Sequence, residues 1–385
     1  MPGGNRDRDR TLTSPFGGAP LKLERFPPAA GDLMAWDAAD EYLLDYCAAE
    51  LELPGKSVLI ADDTFGALGS ALSAQNVEAI HYSASAVASL TGNLGRNGLP
   101  EVEPLDWMHI PLERRYDLVL MRIPKSIDLL RDHCQRLRPH MNPGAVLVGG
   151  AMEKYLSKGM LEALTASFGP THTTLGRRKA RLTVSRFDPS ISAQPVPVTR
   201  YRADPFDISV CSYAGVFSAS QLDIGTRFFL QQFDAIPLAS SRHIADLACG
   251  TGVLGIAAAK VNPRATVSFY DDSSVAIQSA RESVEENFSK RERFRFHHQD
   301  GLMGCPPHTL DLVLCNPPFH AGQQQDTGIA ERLFGQAREG LKPGGELWVV
   351  GNRHLGYHVK LKKTFSSVEV IGANPKFVVL RCQAA

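Results

Sequence analysis

Three segments of the first half of this 385-residue chain recur, in the same order, in its second half. The matched pairs are residues 58–75 with 243–260, 116–125 with 310–319, and 137–150 with 341–352. In both halves short β-branched runs alternate with helical patterns, which is typical of parallel sheets built from βαβ units. The repeat therefore predicts an α/β protein with two tandem, Rossmann-like, doubly wound domains that arose by duplication. Chance similarity between two α/β domains is the alternative explanation.

A proline- and serine-rich segment without apolar periodicity lies near the middle of the chain and predicts a linker at residues 189–199. The expected domains are residues 1–188 and 200–385. The two copies differ where chemistry would be expected, because residues 122–125 carry RIPK where residues 316–319 carry NPPF. The first copy also keeps only Gly66 and Gly69 at its glycine turn. We therefore expect the N-terminal domain to be degenerate.

Composition excludes some classes of protein and leaves others open. Lysine plus arginine equals aspartate plus glutamate, 41 against 41, so the overall charge does not indicate a nucleic-acid partner. The seven scattered cysteines lack metal-ligand spacing, which predicts reduced thiols and no metal site. The polar N-terminus and the short apolar runs predict a cytoplasmic protein without membrane association. We also expect a monomer.

The segment IADLACGTGVLG, residues 244–255, has the pattern of a strand, a glycine-rich turn and a helix. Gly250 and Gly252 would allow a tight turn and let a ligand lie against bare backbone near a helix N-terminus. Asp271 follows the next predicted strand, about 20 residues after Gly250, where a carboxylate would accept hydrogen bonds from ribose hydroxyls. A turn that only packs strand against helix remains an alternative.

Two further aspartates favour a particular nucleoside ligand. Asp246 lies at the end of the first predicted strand, where a carboxylate suits a cationic ligand such as S-adenosylmethionine better than it suits a pyrophosphate. Asp300 could accept a hydrogen bond from an adenine amino group, or it could serve equally well as a turn or helix-cap residue.

The NPPF tetrapeptide ends an apolar strand in a rigid extended turn, because proline fixes its own φ and restricts the preceding residue. The Asn316 side chain and the Pro317 carbonyl would form two acceptors for a planar NH₂ group, and Phe319 would stack on its ring. Accepting both hydrogens would direct the nitrogen toward a methyl donor. The alternative is a proline-rich loop with a buried aromatic side chain.

Residues 243–320 resemble the class I S-adenosylmethionine-dependent methyltransferases that modify planar amino groups. The segments LDIGTRFF (222–229), CNPPFH and VGNRHLGYHVKLKKTF (350–365) resemble the ribosomal RNA guanine-N2 methyltransferases. Within these, the chain is most similar to the large-subunit methyltransferase G family, as LERFP and AWDAADEYLL in the first half also indicate. The small-subunit methyltransferase C family is related and shares the duplication and the NPPF motif.

The resemblance implies S-adenosyl-L-methionine as cofactor and assigns roles to specific residues. The implied cofactor-binding residues are Asp246, Ala248, Gly250, Gly252, Asp271, Asp300 and Asn316. The implied catalytic residues are Asn316, Pro317 and Phe319. The implied substrate-binding residues are Asp223, Gly225, Thr226, Phe319, His320, Arg353 and His354. A basic helix cap is an alternative role for Arg353 and His354.

The basic stretch GRRKAR, residues 176–181, suggests that the degenerate domain binds RNA through Arg177, Arg178 and Lys179. A solvated surface is the alternative explanation. The expected partner is large-subunit ribosomal RNA, either protein-free or partly assembled.

The predicted function is N2-methylation of one guanine in 23S ribosomal RNA. Other substrates of the same chemistry are guanine N2 of small-subunit RNA, adenine N6 and a protein glutamine amide. A nicotinamide-dependent dehydrogenase, indicated by the glycine pattern alone, and a non-catalytic RNA-binding factor are hypotheses from other classes.

Overall fold

The computed structural model describes residues 11–28, 33–318 and 327–385. The chain divides into two units, Met1–Val196 and Pro197–Ala385. The division falls inside the segment where the sequence predicts a linker. None of the helices in the described ranges is both long enough and apolar enough to cross a membrane.

The first unit contains nine strands and five helices in its described part. The strands are β1 (Thr11–Leu12), β2 (Leu21–Lys22), β3 (Val58–Ala61), β4 (Val77–His81), β5 (Glu103–Asp106), β6 (Tyr116–Arg122), β7 (Met141–Met152), β8 (Thr171–Thr173) and β9 (Ala180–Arg186). The helices are α1 (Ala38–Glu50), α2 (Ala67–Leu72), α3 (Ala84–Asn97), α4 (Ile127–Leu137) and α5 (Lys158–Ser167).

The second unit also has nine strands and five helices in the ranges given above. The strands are β10 (Thr199–Ala203), β11 (Ile208–Ser212), β12 (His243–Leu247), β13 (Thr266–Asp271), β14 (Phe294–His298), β15 (Leu310–Cys315), β16 (Leu341–Asn352), β17 (Ser367–Ala373) and β18 (Phe377–Gln383). The helices are α6 (Ile224–Leu230), α7 (Val253–Val261), α8 (Ser274–Asn287), α9 (Thr327–Gly340) and α10 (Tyr357–Leu361).

Each unit is built on a seven-stranded sheet, and the two sheets have the same topology. The strand orders are β5-β4-β3-β6-β7-β9-β8 and β14-β13-β12-β15-β16-β18-β17. Five neighbouring strands are parallel in each sheet, and β9 and β18 are antiparallel to both of their neighbours. The segments that repeat in the sequence occupy equivalent strands, β3 and β12, β6 and β15, β7 and β16. The prediction of two tandem Rossmann-like domains is confirmed.

The central strands of the second sheet are buried on both faces, which explains their nearly continuous apolar sequences. In β12, Ile244 packs in one core cluster while Ala245 and Leu247 pack in the cluster on the opposite face. The chain runs from β12 outward to β14 and then returns to β15 on the other side of β12. Such a reversal opens a crevice at the carboxyl ends of the strands, where ligands of doubly wound sheets bind.

Candidate active site

The glycine turn after β12 combines left-handed backbone with open space. Ala248 (φ 57°), Gly250 (φ 54°) and Gly252 (φ 80°) all have positive φ, and Gly252 is the N-cap of α7. A Cβ on Gly252 would lie 3.1 Å from both the Ala280 Cβ and the Phe269 ring. A Cβ on Gly250 would meet no atom within 4 Å among the described residues other than its chain neighbours. Gly252 is thus required for packing, whereas Gly250 leaves room for a ligand over bare backbone.

Asp271, at the end of β13, is tied to this turn. Its carboxylate accepts a hydrogen bond from the Gly250 N–H at 2.9 Å and another from the Ser273 N–H at 2.9 Å. Burial raises the pKa of Asp271 to about 6, although both backbone bonds oppose that shift. A carboxylate has about four acceptor positions, so lone pairs remain for ribose hydroxyls.

Asp246 lies underneath the turn rather than on its surface. Its side chain is 1% exposed, and Oδ2 accepts a hydrogen bond from the Gly255 N–H at 2.8 Å. Burial raises the pKa of Asp246 to about 8, and the neighbouring charge of Asp271 adds to the increase. When ionised, the buried carboxylate would act on a cationic ligand through its field and not through an exposed surface.

Asp300, which follows β14, is buried and has one unused acceptor. Arg332 of α9 donates to Oδ1 at 2.6 Å, while Oδ2 is buried and has no hydrogen-bond partner within the described ranges. Burial raises the pKa of Asp300, and Arg332 opposes that shift. An unpaired buried acceptor is costly unless a donor reaches it. An adenine amino group is such a donor, so the residues around the turn fit S-adenosylmethionine.

Asn316 stands at the carboxyl end of β15, and its amide nitrogen is held in place. Nδ2 donates to Thr226 Oγ1 at 2.9 Å and to Asp223 Oδ2 at 3.2 Å. Asp223 is the N-cap of α6 and accepts from the Thr226 N–H at 2.8 Å. Asn316 Oδ1 is buried and unpaired among the described residues. The structure therefore brings Asp223, Thr226 and Asn316 together and leaves one amide oxygen available.

Gly225 permits the close approach of α6 to the sheet. A Cβ at this position would lie 2.9 Å from Asp223 Oδ2 and 3.2 Å from the Phe377 ring of β18. Pro317 is buried, and no described donor is bonded to its carbonyl oxygen. Phe319 and His320 lie outside the described residues, so their assigned roles stay predictions.

Arg353 and His354 belong to a 3₁₀ turn that follows β16, and Arg353 donates to the Asn374 carbonyl at 3.4 Å. No carboxylate in the described ranges pairs with Arg353.

Arg177, Arg178 and Lys179 belong to the first unit, in the turn that joins β8 to β9. Arg177 pairs with Asp45 at 2.7 Å, and Arg178 pairs with Glu41 at 2.5 Å. Two of these three cations are thus already paired with acidic residues of α1.

The first unit has a different arrangement at the position equivalent to Asn316. There Arg122, at the end of β6, donates to both oxygens of Asp37 at 2.8 and 2.9 Å and pairs with Asp40 at 2.6 Å. Asp37 is the N-cap of α1, as Asp223 is the N-cap of α6. An ion pair therefore stands in the first unit where the second unit has the Asn316 amide.

Sequence reasoning missed three residues of this site. Arg332 comes from a helix without any recognised motif, and its pairing with Asp300 depends on α9 packing against the segment that follows β14. Tyr201 of β10 lies near Thr251 of the glycine turn and near the charge of Asp223, and burial raises its pKa. Asn352 ends β16 with a buried Oδ1 that has no partner among the described residues. The sequence carries no local signal for any of these contacts.

Comparison with known proteins identifies relatives for both units. Residues 12–189 match the family model of the RLMG N-terminal domain, and residues 207–381 match that of the methyltransferase small domain. Ribosomal RNA large subunit methyltransferase G of Streptomyces avermitilis is 42% identical over 380 residues, covering 96% of this chain and 98% of the relative. The protein of the same name from Pseudomonas entomophila is 41% identical over 377 residues, covering 97% and 99%.

Among solved structures, the chain is similar to a T. thermophilus 16S rRNA N2 methyltransferase, RsmC, determined in complex with AdoMet and guanosine. The TM-score is 0.76, the sequence identity is 21%, and the match covers 97% of each chain. At this identity the similarity concerns the fold.

Proposed function

The chain belongs to the ribosomal RNA large subunit methyltransferase G family, and from this premise we propose that it methylates the N2 amine of a guanine in 23S ribosomal RNA. The protein is a methyltransferase, and its cofactor is S-adenosylmethionine. The names of the relatives support large-subunit RNA as the substrate class.

The observation that carries this proposal is the orientation of the Asn316 amide. Because Nδ2 donates to Thr226 and Asp223, the amide cannot rotate without losing both bonds. Oδ1 therefore remains the buried acceptor, and an acceptor in such a position needs a donor. A planar amine supplies two N–H donors, one for Oδ1 and one for the Pro317 carbonyl.

When bound, S-adenosylmethionine supplies an electrophilic methyl group. The protein's task is to present the amine nitrogen to that group and to stabilise the positive charge that develops on the nitrogen. The two oxygens accept the amine hydrogens, and these hydrogen bonds strengthen as the charge grows because the N–H groups become better donors. The amine exchanges one proton for the methyl group, and water at the open crevice takes the proton. No buried general base is required.

Asp271 and Asp300 would hold the nucleoside part of the cofactor, and the turn at Gly250 would accommodate its methionine part. The guanine must leave its base stack before its amine reaches Asn316, which favours a single-stranded or easily opened site. Such a site is accessible in protein-free or partly assembled RNA.

The test is transfer of tritiated methyl groups to protein-free 23S RNA and to intact large subunits that lack the modification, followed by nucleoside mass spectrometry. We expect N2-methylguanosine from the 23S RNA. Label in N6-methyladenosine, in small-subunit RNA or in a protein glutamine would contradict the proposed substrate.

Two variants connect the activity to Asn316. N316A should reduce turnover by about 10²- to 10³-fold, because it removes an acceptor that acts on developing charge. Its affinity for S-adenosylmethionine should change less than about threefold. T226S, which keeps the orienting hydroxyl, is the matched control and should stay close to the unaltered protein. An equal loss of cofactor affinity in N316A would refute the role.

A further inference from the structure

We infer that Asn352 is a specificity-determining residue whose Oδ1 accepts a hydrogen bond from the N1–H of the target guanine. This inference rests on the proposed function. It adds a residue that contacts the base itself to the residues that hold the amine, and this contact would make the site selective for guanine over adenine.

Asn352 and Asn316 lie near the carboxyl ends of two adjacent strands, β16 and β15. β16 runs parallel to β15, with Cys315 opposite Val349. Asn316 follows β15 by one residue, and Asn352 lies three residues beyond Val349. Their offset is therefore two residues, about 7 Å along adjacent strands that are about 4.8 Å apart. Two amide side chains span such a gap with a base edge between them.

Both side chains also lie on the same face of the sheet. Successive side chains of a strand alternate between faces. Leu314 and Val350 pack in the same core cluster, which includes Phe229 of α6. Asn316 and Asn352 each lie two residues further along these strands, so both continue on the α6 face.

The neighbour of Asn352 supports this placement. Asn352 is paired with Phe377 across the antiparallel β16–β18 ladder, so the two side chains share a face. The Phe377 ring lies against Gly225, the α6 residue between Asp223 and Thr226. Asn352 is thus close to the group of residues that fixes the Asn316 amide.

The side-chain oxygen of Asn352 makes no structural hydrogen bond within the described residues. Asn352 precedes the 3₁₀ turn Arg353–Leu355, yet it makes no side-chain capping bond. Its Oδ1 is buried without a hydrogen-bond partner in the described part of the chain. Asn316 Oδ1 is in the same condition. A ligand with two neighbouring donors would satisfy both oxygens, which are otherwise buried without partners among the described residues.

The Watson–Crick edge of guanine carries two such donors, N1–H and N2–H₂, side by side. Adenine presents its amine beside N1, which is an acceptor without hydrogen. An adenine amine placed at Asn316 would therefore bring the N1 lone pair against the Asn352 oxygen and leave that oxygen unpaired. Sites built to pair with a particular donor discriminate strongly against analogues that lack it.

The test uses ligated 23S RNA that carries either guanine or 2-aminopurine at the nucleotide methylated in the assay above. 2-Aminopurine keeps the 2-amine but has no N1–H. We expect the unaltered protein to prefer guanine by about 100-fold in kcat/KM. N352L should reduce kcat/KM for the guanine-containing RNA by about 30-fold and lower the preference for guanine below about fivefold. N352D keeps an acceptor and should retain the preference within about threefold.

2-Aminopurine also lacks O6, so the informative quantity is the change in preference between the unaltered protein and N352L. Cofactor affinity shows that each variant is folded. A preference that stays near 100-fold in N352L would overturn the inference, as would an unaltered protein that does not discriminate. Absence of N2-methylguanosine from guanine-containing RNA would instead overturn the proposed function itself.

Discussion

At the scale of single residues, the two ends of the Asn316 amide have different surroundings. The nitrogen meets the hydroxyl of Thr226 and the carboxylate of Asp223, whereas the oxygen meets no described donor. An isolated asparagine would interchange the two ends by a flip of its amide. Here the helix cap removes that freedom. In the proposed function the acceptor is therefore oriented before the substrate arrives, so orienting it costs no entropy on binding.

The pKa of Asp246 leads to a prediction about pH. Burial raises this pKa to about 8, so the carboxyl group is protonated at neutral pH in the free protein. A cationic sulfonium favours the ionised form. We therefore expect the affinity for S-adenosylmethionine to rise with pH toward about 8 and to level off above it. Titration calorimetry between pH 6 and 9 measures this.

S-adenosylhomocysteine, which lacks the sulfonium charge, is the matched ligand and should show a weaker pH dependence. D246N cannot ionise, yet its amide oxygen can still accept from Gly255, so it should make the two pH profiles parallel. Parallel profiles in the unaltered protein would show that Asp246 does not act on the sulfonium.

At the scale of elements, each unit uses the N-cap of a helix to orient a residue at the end of a central strand, β6 in the first unit and β15 in the second. In the second unit the cap of α6 holds Asn316, and in the first the cap of α1 holds Arg122. Burial acts to raise the pKa of Asp37, but Arg122 outweighs it and keeps that pKa below its usual value. The same scaffold thus supports the proposed amine-binding site in one copy and an ion pair in the other.

The ion pair should matter for the stability of the first unit. Asp40 is nearly buried, with 8% of its side chain exposed, so R122A would leave its charge uncompensated. We expect the free energy of unfolding to fall by about 2–3 kcal/mol, below the range for fully buried pairs because Asp37 remains partly exposed. Amide hydrogen exchange in α1 reports the change.

K158A in the same unit is the control, because Lys158 pairs with Glu162 at 3.5 Å and its side chain is 90% exposed. That pair should contribute less than about 0.5 kcal/mol. Similar losses in R122A and K158A would show that the Arg122 ion pair does not stabilise the first unit.

At the scale of the whole molecule, the two units share a topology but differ in the chemistry at the ends of their strands. We propose that the first unit binds RNA through the turn at residues 177–179, and two ion pairs in this turn should reduce its contribution. Arg177 and Arg178 are paired with Asp45 and Glu41, whereas Lys179 has no partner in the described ranges. Cations that are already paired displace fewer counterions when RNA binds.

The variant R177Q/R178Q/K179Q should therefore lower the slope of log affinity against log salt by about one, not three. K179Q alone should account for most of that change. K158Q, an exposed lysine in the same unit, is the control. Filter binding to 23S RNA between 50 and 300 mM salt measures the slopes. A decrease near three would mean that both ion pairs open on binding, and no decrease would exclude this turn from the RNA interface.

Sequence patterns by themselves determined the two Rossmann-like domains, the glycine turn and the position of Asp271. Each of these depends on residues close together in the chain: alternation along strands, glycine at turns, and a spacing of about 20 residues across one βαβ unit. The sequence repeat also predicted that β3, β6 and β7 occupy the same positions in the first sheet as β12, β15 and β16 in the second. Local propensity and hydrophobic pattern suffice for features of this kind.

Only the tertiary structure decided which atoms of those residues are free. Asn316 is oriented by Asp223, 93 residues earlier in the chain, and Asp300 is paired with Arg332, 32 residues later. The ion pair of Arg178 with Glu41 likewise depends on which elements pack together, as does the Asn352 oxygen that has no partner within the described part of the chain. A side chain's charge and hydrogen-bonding state are set by its neighbours in space, and those neighbours are fixed only when the sheets and helices assemble.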